Sequence, residues 1–174
     1  GIGMIHQHFK LVDLFTATEN IVLGLEGKLD LAEASKKVKD ICDKYGFDID
    51  PNQKIYDMSV SQKQTVEIVK VLYRGADILI LDEPTVGLDP KQVVEIRDLI
   101  RHLAKDHTVI LSSHILSEIR AVCDRVLIIR KGRFVVCDTP EDLEEKLSAG
   151  GSLELTAKAA PEAAEAVLDR VAGI

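Results

Sequence analysis

The stretch Ile78-Leu79-Ile80-Leu81-Asp82-Glu83-Pro84 is a short apolar run that ends in two adjacent carboxylates. An apolar run of this length, bounded by turn residues, is typical of a buried strand. The next residues, Thr85-Val86-Gly87-Leu88-Asp89-Pro90, predict a turn and then the start of a helix, with Asp89 as its cap. Nucleotide hydrolases use a buried strand with adjacent carboxylates at its carboxyl end to place a Mg²⁺ ligand beside a general base, and Asp82 and Glu83 fit that pattern.

The rest of the chain alternates between helical and strand periods. Helical spacing of apolar residues predicts helices at 31–45, 61–73, 91–104, 115–122 and from 139 onwards. Short apolar runs predict strands at 1–5, 76–81, 108–111, 125–129 and 133–137. Because Lys131-Gly132 forms a tight turn, the last two strands are expected to form a hairpin. The alternation predicts an α/β fold with a partial, mostly parallel sheet and helices on its faces.

The composition is that of an ordinary globular protein. The 174 residues are 46% hydrophobic, and no apolar run approaches the roughly 20 residues that span a bilayer. No signal peptide opens the sequence. The formal net charge of −7 argues against a general nucleic-acid or anionic-membrane binder. The three cysteines are odd in number and lack metal-ligand spacing, which indicates reduced, buried thiols.

Both ends of the sequence indicate a segment of something longer. Gly1 opens a stretch that is typical of the inside of a strand. At the other end, Gly150-Gly151 interrupts the alternation, and a short strand at 153–156 and a helix at 161–171 follow. One strand and one helix bury too little apolar surface for a core of their own. We interpret residues 149–174 as the start of a truncated C-terminal accessory subdomain.

The order of polar residues along the chain resembles a known family. Gln7, Ser59, Asp82-Glu83, Asp89 and His114 follow one another as in the nucleotide-binding domain of ABC (ATP-binding cassette) ATPases. The resemblance covers about residues 1–148. It implies a P-loop NTPase fold of the ABC type, with an inserted helical subdomain at about 9–75, and it implies ATP and Mg²⁺ as cofactors.

The resemblance implies roles for four of these side chains in catalysis and metal binding. Asp82 would hold Mg²⁺, usually through water, and Glu83 would be the general base that orients and deprotonates the attacking water. His114, in Leu-Ser-Ser-His, corresponds to the switch histidine, which would donate to the γ-phosphate. Gln7 corresponds to the Q-loop glutamine, whose amide would reach Mg²⁺ or the attacking water. A metal site at His6 and His8, which flank it, is a weakly supported alternative.

Two further motifs would act across a dimer of such domains. Asp89 corresponds to the D-loop, which crosses the dimer interface, although capping of the following helix also explains it. Residues 58–64 take the place of the signature motif Leu-Ser-Gly-Gly-Gln, with Ser59 and Gln62 retained. Val60 and Ser61 replace its two glycines, which should weaken backbone contact with the γ-phosphate of ATP held by the partner domain. A simple helix cap by Ser59 or Ser61, without any ligand, is the alternative.

The sequence contains no Gly-x-x-x-x-Gly-Lys-Ser/Thr loop to cradle phosphates. In the family that loop precedes the Q-loop glutamine, so truncation explains its absence more simply than loss of the site. A sheet that lacks its first strands should show an unpaired edge and an uncovered apolar face. We also expect this chain alone to hydrolyse ATP very poorly.

The two halves of the chain resemble different branches of the family. Residues 1–84 resemble sugar or nucleoside importer ATPases, and residues 85–174 resemble ATPases of ABC-2 and gliding-type exporters, which makes a chimeric sequence a hypothesis. The resemblance implies an ATP-hydrolysing transporter subunit that dimerises with a second ATPase domain, in a homo- or heterodimer. It would bind a transmembrane permease subunit on the cytoplasmic face of the cell membrane, and it would bind no nucleic acid. The alternatives are a non-catalytic fragment or interaction module, and a soluble ABC ATPase of repair or translation.

Overall fold

A computed structural model describes residues 1–27 and 29–149 of the chain. Its first sheet has three strands, β1 (Ile2–Ile5), β2 (Ile78–Asp82) and β3 (Thr108–Ser112). They are parallel and lie in the order β1-β2-β3, so the strand with the two carboxylates is central. Ile5 pairs with Leu81, and Leu81 pairs with Leu111. The carboxyl ends of all three strands therefore meet at one edge, as in other α/β proteins that bind ligands there.

The helices are α1 (Ala17–Val22), α2 (Leu31–Tyr45), α3 (Val60–Tyr73), α4 (Pro90–Leu103), α5 (Leu116–Val122) and α6 (Pro140–Ala149), with a 3₁₀ turn at Ile55–Asp57. The strands β4 (Val126–Arg130) and β5 (Arg133–Asp138) form a separate antiparallel ribbon, which confirms the expected hairpin. The expected strand at 153–156 and helix at 161–171 lie outside the described residues.

Local signals set the ends of α2 as expected. Asp30 accepts hydrogen bonds from the backbone N–H groups of Ala32 and Glu33, which satisfies two donors of the first turn. At the other end, Gly46 takes a left-handed conformation with φ +71° and donates its N–H to Cys42. A glycine adopts this conformation without steric cost, so the helix ends there.

Between residues 9 and 30, where the sequence pattern is mixed and predicts no particular element, the structure adds one helix. The short helix α1 forms there, because Thr16 and Glu19 make a reciprocal capping box. Among the predicted strands, β2 begins at Ile78 rather than Ala76 and extends to Asp82. Asp82 is therefore the last residue of the strand rather than the first residue of the following turn.

Two buried clusters form the core, and α3 belongs to both of them. One cluster lies between the sheet and the helices, and includes Ile68 of α3 against Leu79 and Leu81 of β2. The other joins α1, α2 and α3 around Val66 and Val69. Because one helix contributes to both clusters, burial of its apolar side chains ties the helical part of the molecule to the sheet.

The opposite face of the sheet is open. Ile2, Met4 and Ile110 alternate with less exposed positions along β1 and β3, and they are 71%, 47% and 51% exposed. Within the described residues, β1 and β3 each pair only with β2, so both have a free edge. These observations confirm the expected uncovered apolar face and unpaired edge.

Candidate functional site

The candidate site lies at the carboxyl edge of the parallel sheet, where β2 and β3 end side by side. Asp82 pairs with Ser112 in the register of these strands. The hydroxyl of Ser112 donates to Oδ1 of Asp82 at 2.5 Å, and the backbone N–H of Glu83 donates to the carbonyl of Ser112 at 3.0 Å. Asp82 is therefore fixed through one oxygen, while its other oxygen has no hydrogen bond in the part of the chain described.

Glu83 directly follows β2 with an unusual backbone conformation. Its φ is +47°, in the left-handed region that non-glycine residues seldom adopt. Such a conformation costs of order 1 kcal/mol and persists only where the surroundings hold it. Here the backbone turns sharply, since Val86 N–H donates back to the carbonyl of Glu83 at 3.2 Å.

The side chain of Glu83 contacts the imidazole of His114. His114 Nδ1 lies 2.9 Å from Glu83 Oε1, and the imidazole is 73% exposed while the carboxylate is only 20% exposed. The hydrogen bond to Glu83, and then the charge of that carboxylate, raise the pKa of His114. Glu83 Oε2 is buried and has no hydrogen-bond partner in the described residues. A buried acceptor of this kind is satisfied when a water molecule binds to it.

Gln7 lies at the same edge of the sheet but is separate from the two carboxylates. Ile5 pairs with Leu81, so Gln7 and Glu83 each lie two residues beyond a paired position. The side chain of Gln7 is exposed and lines a groove of about 300 Å³ with Asp13 and Lys63. The structure shows no hydrogen bond from Gln7 to Asp82 or Glu83 among the residues it describes.

Asp89 caps α4, as expected. Its Oδ1 accepts from the backbone N–H groups of Lys91 and Gln92, both at 2.9 Å, and Pro90 occupies the first position of the helix. The side chain of Gln92 in turn accepts from the Asp89 N–H at 3.3 Å. This capping box explains the conformation of Asp89, while a role between two domains stays a prediction.

The residues in place of the signature motif form the first turn of α3. Ser59 Oγ accepts from the Gln62 N–H at 3.2 Å, and Gln62 Oε1 accepts from the Ser59 N–H at 3.0 Å. The hydroxyls of Ser59 and Ser61 are 3.1 Å apart. Helix capping, the alternative from the sequence, is therefore present. None of these three residues has a hydrogen bond to Asp82, Glu83 or His114 in the described structure, and ATP contact by them stays a prediction.

Sequence reasoning missed Ser112 as part of the site. Its contact with Asp82 depends on the register between β2 and β3, which no local pattern reveals. A signal was nevertheless present, because a hydroxyl residue ends the strand that precedes His114.

The residues present fit a Mg²⁺ site only together with substrate oxygens. Within residues 1–27 and 29–149, no cluster of three or more His, Cys, Asp or Glu side chains is arranged to hold a metal ion. His6 and His8, for which a metal site was a weakly supported alternative, therefore belong to no such cluster. Mg²⁺ is typically held by one or two carboxylates plus water and phosphate oxygens. Asp82 with a free oxygen, and Gln7 at the same edge, fit that kind of site.

A central parallel strand that ends at Asp82 and is followed directly by Glu83, with His114 hydrogen-bonded to the glutamate, is the arrangement expected of the ATP-binding domain of an ABC ATPase. Residues 1–86 match the family model described as ABC transporter. The solved structure of cbiO1 from Clostridium perfringens, part of the ABC transporter complex cbiONQ, superimposes with a TM-score of 0.71 at 27% identity. The superposition covers 85% of this chain and 61% of that chain. The expected fold class is thereby confirmed.

Curated relatives place the chain more narrowly. The nucleoside import ATP-binding protein NupA of Lactococcus lactis subsp. cremoris is 45% identical over an alignment of length 179, which covers 97% of this chain and 35% of that protein. The guanosine import ATP-binding protein NupO of Bacillus subtilis is 46% identical over 159 residues, covering 86% of this chain and 31% of that protein. This chain belongs to the ATP-binding domains of ABC transporters and is homologous to nucleoside and sugar import ATP-binding proteins.

The alignments cover most of this chain but only part of each relative. The chain spans about a third of the length of the curated relatives it matches. The alignment with NupA covers 97% of the chain and therefore runs through Pro84 into both halves. The exporter resemblance of residues 85–174 stays a prediction. No described helix is long and apolar enough to cross a membrane.

Proposed function

We propose that this chain is part of an ATP-hydrolysing subunit of an ABC importer, and that the imported compounds are nucleosides. The observation that carries the proposal is the hydrogen bond between Glu83 and His114 at the carboxyl end of the central strand. The cargo class rests on the two relatives that are named as nucleoside and guanosine import proteins.

The proposed chemistry assigns one task to each side chain at this edge. Glu83 binds the attacking water at its unpartnered Oε2 and accepts a proton from it. His114, exposed on the other side of the same carboxylate, donates to the γ-phosphate. Asp82 and Gln7 would hold Mg²⁺, and Ser112 fixes the orientation of Asp82. Bound Mg²⁺ would neutralise charge on the phosphates.

The remaining site residues are proposed to act between two ATP-binding domains. Ser59, Ser61 and Gln62 lie at the N-terminus of α3, where backbone N–H groups favour anions. We assign them contact with ATP held by a second domain, and we assign Asp89 to the interface between the two. Val60 and Ser61, which stand in place of the two glycines of the signature motif, should weaken this contact, and Ser61 more than Val60.

The proposed partners are a second ATPase domain and a transmembrane permease subunit. The similar protein cbiO1 is part of an ABC transporter complex, which supports such an assembly for this chain. The groove that contains Gln7, Asp13 and Lys63 is our candidate surface for the permease subunit. We place the protein at the cytoplasmic face of the membrane, and we assign it no nucleic-acid partner.

The proposal is tested on the full-length protein encoded around this sequence. Mg²⁺-dependent ATP hydrolysis should be lost in Glu83→Gln by a factor of about 10² or more, because general-base catalysis contributes 10²–10⁴-fold. ATP binding should persist in that variant. Glu141→Gln, at an exposed carboxylate of α6, is the matched control and should keep the activity. Absence of hydrolysis in the wild-type protein, or a fully active Glu83→Gln variant, would favour the non-catalytic alternative.

A second experiment tests the imported compound and the transmembrane partner. The full-length protein should co-purify with a transmembrane subunit that is co-expressed from the same genomic region. Vesicles that contain the complex should accumulate labelled guanosine in an ATP-dependent manner. DNA upstream of codon 1 that lacks an in-frame Gly-x-x-x-x-Gly-Lys-Ser/Thr would identify a remnant and contradict the proposal.

A further inference from the structure

Glu118 in α5 is a buried carboxylate to which the proposed chemistry gives no task. It is 7% exposed, and acidic side chains are seldom buried so far unless they are paired. Burial of a charged group costs free energy unless hydrogen bonds replace its hydration. The hydrogen bonds of this carboxylate therefore decide whether the cost of its burial is compensated.

Two hydroxyl groups from separate segments converge on one oxygen of Glu118. Thr85 Oγ1 donates to Glu118 Oε2 at 2.5 Å, and Thr85 is itself 7% exposed. Ser113 Oγ donates to the same oxygen at 3.4 Å and accepts from the backbone N–H of Ile115 at 3.1 Å. Glu118 therefore links the two segments through a short hydrogen bond from Thr85 and a longer, weaker one from Ser113.

Each of these two segments carries a residue of the candidate site. Thr85 lies two residues after Glu83, in the turn that the Val86 N–H closes onto the Glu83 carbonyl. Ser113 immediately precedes His114. The contacts with Glu118 therefore join the same two segments that meet again in the 2.9 Å hydrogen bond between His114 and Glu83.

We propose that Glu118 is a positioning residue: by holding Thr85 and Ser113, it fixes the imidazole of His114 against the carboxylate of Glu83. The inference rests on the proposed ATP hydrolysis, since it assigns Glu118 to the geometry of the same site. The electrostatic environment of His114 also reflects both carboxylates. Its pKa is raised first by its contact with Glu83 and additionally by the charge of Glu118. Glu118 itself touches neither nucleotide nor water in this assignment.

A pair of variants at Thr85 separates positioning from charge. Thr85→Val removes the hydroxyl at similar volume and leaves the charge of Glu118 in place, whereas Thr85→Ser keeps a hydroxyl. The probe is the imidazole of His114 in this chain labelled with ¹⁵N-histidine, assigned by His114→Gln and recorded at one fixed pH. We expect Thr85→Val to shift the ring nitrogen signals of His114, and Thr85→Ser to retain the wild-type shifts.

A double-mutant cycle tests whether Thr85 acts through Glu118. In a Glu118→Ala background, Thr85→Val should add no further change at His114, because the acceptor is already gone. An equal change in both backgrounds would contradict the proposal, and so would unchanged His114 signals in Thr85→Val alone. If Glu118→Ala does not fold, the comparison of Thr85→Val with Thr85→Ser still tests the proposal, since both variants retain Glu118.

Kinetics of the full-length protein give the second readout. Thr85→Val should lower kcat about 10-fold to 100-fold, the cost of a small misplacement of catalytic groups, and leave KM for ATP almost unchanged. Thr85→Ser should restore most of the rate, and Glu141→Gln should match the wild type. An increase in KM with constant kcat would overturn the proposal. A wild-type protein that hydrolyses no ATP would refute the proposed function, while the His114 spectra would still report on the positioning.

Discussion

The phenolic oxygen of Tyr45 lies 2.8 Å from Nε2 of His107, and this contact joins the end of α2 to the segment that leads into β3. Lys44 adds to it, since its Nζ lies 3.0 Å from the same oxygen and 2.9 Å from Asp106. Tyr45 is 8% exposed, and its ring stacks on Phe47 with 5.6 Å between the centroids. The helical part and the sheet part of the molecule are therefore held together by a polar contact at this point, in addition to their shared core.

Tyr45→Phe should lower the free energy of unfolding by about 1 kcal/mol, because it removes the hydrogen bond but keeps the ring. Nδ1 of His107 is already buried without a partner in the described residues, and the variant also removes the tyrosine hydroxyl from Nε2. Urea unfolding is the measurement. Tyr56→Phe, at a tyrosine that is 57% exposed, is the control and should change the stability by less than about 0.5 kcal/mol. Equal losses of stability in Tyr45→Phe and Tyr56→Phe would contradict a stabilising contact between Tyr45 and His107.

Gly3→Ala should destabilise the chain by about 1–3 kcal/mol, the usual effect of overpacking. A Cβ at Gly3 would lie 1.8 Å from Cγ1 of Val71, which is buried in the core between α3 and the sheet. Thermal or urea unfolding measures the effect, and Gly1→Ala is the control, since its Cβ would come no closer than 3.7 Å to Gly75 O. The double variant Gly3→Ala/Val71→Ala should be more stable than the sum of the two single changes implies.

Elements with strong local signals could be predicted from the sequence. Asp30 and Gly46 mark both ends of α2, and the apolar run before Asp82 identified the central strand. Helix α1 was missed because its six residues are too short for a helical period to show. The Thr16-x-x-Glu19 capping box was the available signal.

Contacts between distant segments could not be predicted in the same way. The chain order placed Asp82, Glu83 and His114 at one edge of the sheet, because parallel strands share their direction. The partners Ser112, Thr85 and Glu118 became visible only from the strand register and the packing of α5. For Ser59 and Asp89, the structure shows the helix capping that a local motif already indicated. Contact of Ser59 with ATP and a place for Asp89 at the interface of two domains stay predictions.

The isolated chain of 174 residues should hydrolyse ATP very poorly. Its sequence supplies the base Glu83 but no Gly-x-x-x-x-Gly-Lys-Ser/Thr loop, so the phosphates lack the backbone groups and the lysine that hold them. A phosphate-release assay on the purified chain, with Glu83→Gln as the comparison, measures this. Robust Mg²⁺-dependent turnover that disappears in Glu83→Gln would show that these residues suffice and would refute the prediction.

Cys42 should resist alkylation in the folded chain. It is 2% exposed, and burial, with a smaller contribution from Asp43, raises the pKa of its thiol to about 11. At pH 8 only about one thiol in 10³ would then be the reactive thiolate. In a Cys123→Ser/Cys137→Ser background, iodoacetamide should modify Cys42 slowly in buffer and rapidly in urea, as mass spectrometry would show. Equal rates in both solvents would mean that α2 does not shield this thiol.

The contact between His114 and Glu83 should depend on pH. The hydrogen bond and the charge of Glu83 raise the pKa of His114 above the value of 6.5 that an unperturbed histidine has. A raised pKa in the folded state means that the stabilisation is fully present below 6.5 and is lost as the pH rises through the higher, folded-state value. The imidazole should therefore titrate above 6.5 by NMR in the wild-type chain.

Glu83→Gln tests the cause of that shift, because it removes the charge and keeps a hydrogen-bond acceptor of the same shape. The midpoint for His114 should fall towards 6.5 in this variant and stay at the wild-type value in Glu141→Gln, whose carboxylate lies on α6. Part of the upward shift should survive, because the charge of Glu118 remains. An unchanged midpoint in Glu83→Gln would mean that Glu83 and His114 do not pair in solution, and the proposed division of tasks between them would fail with it.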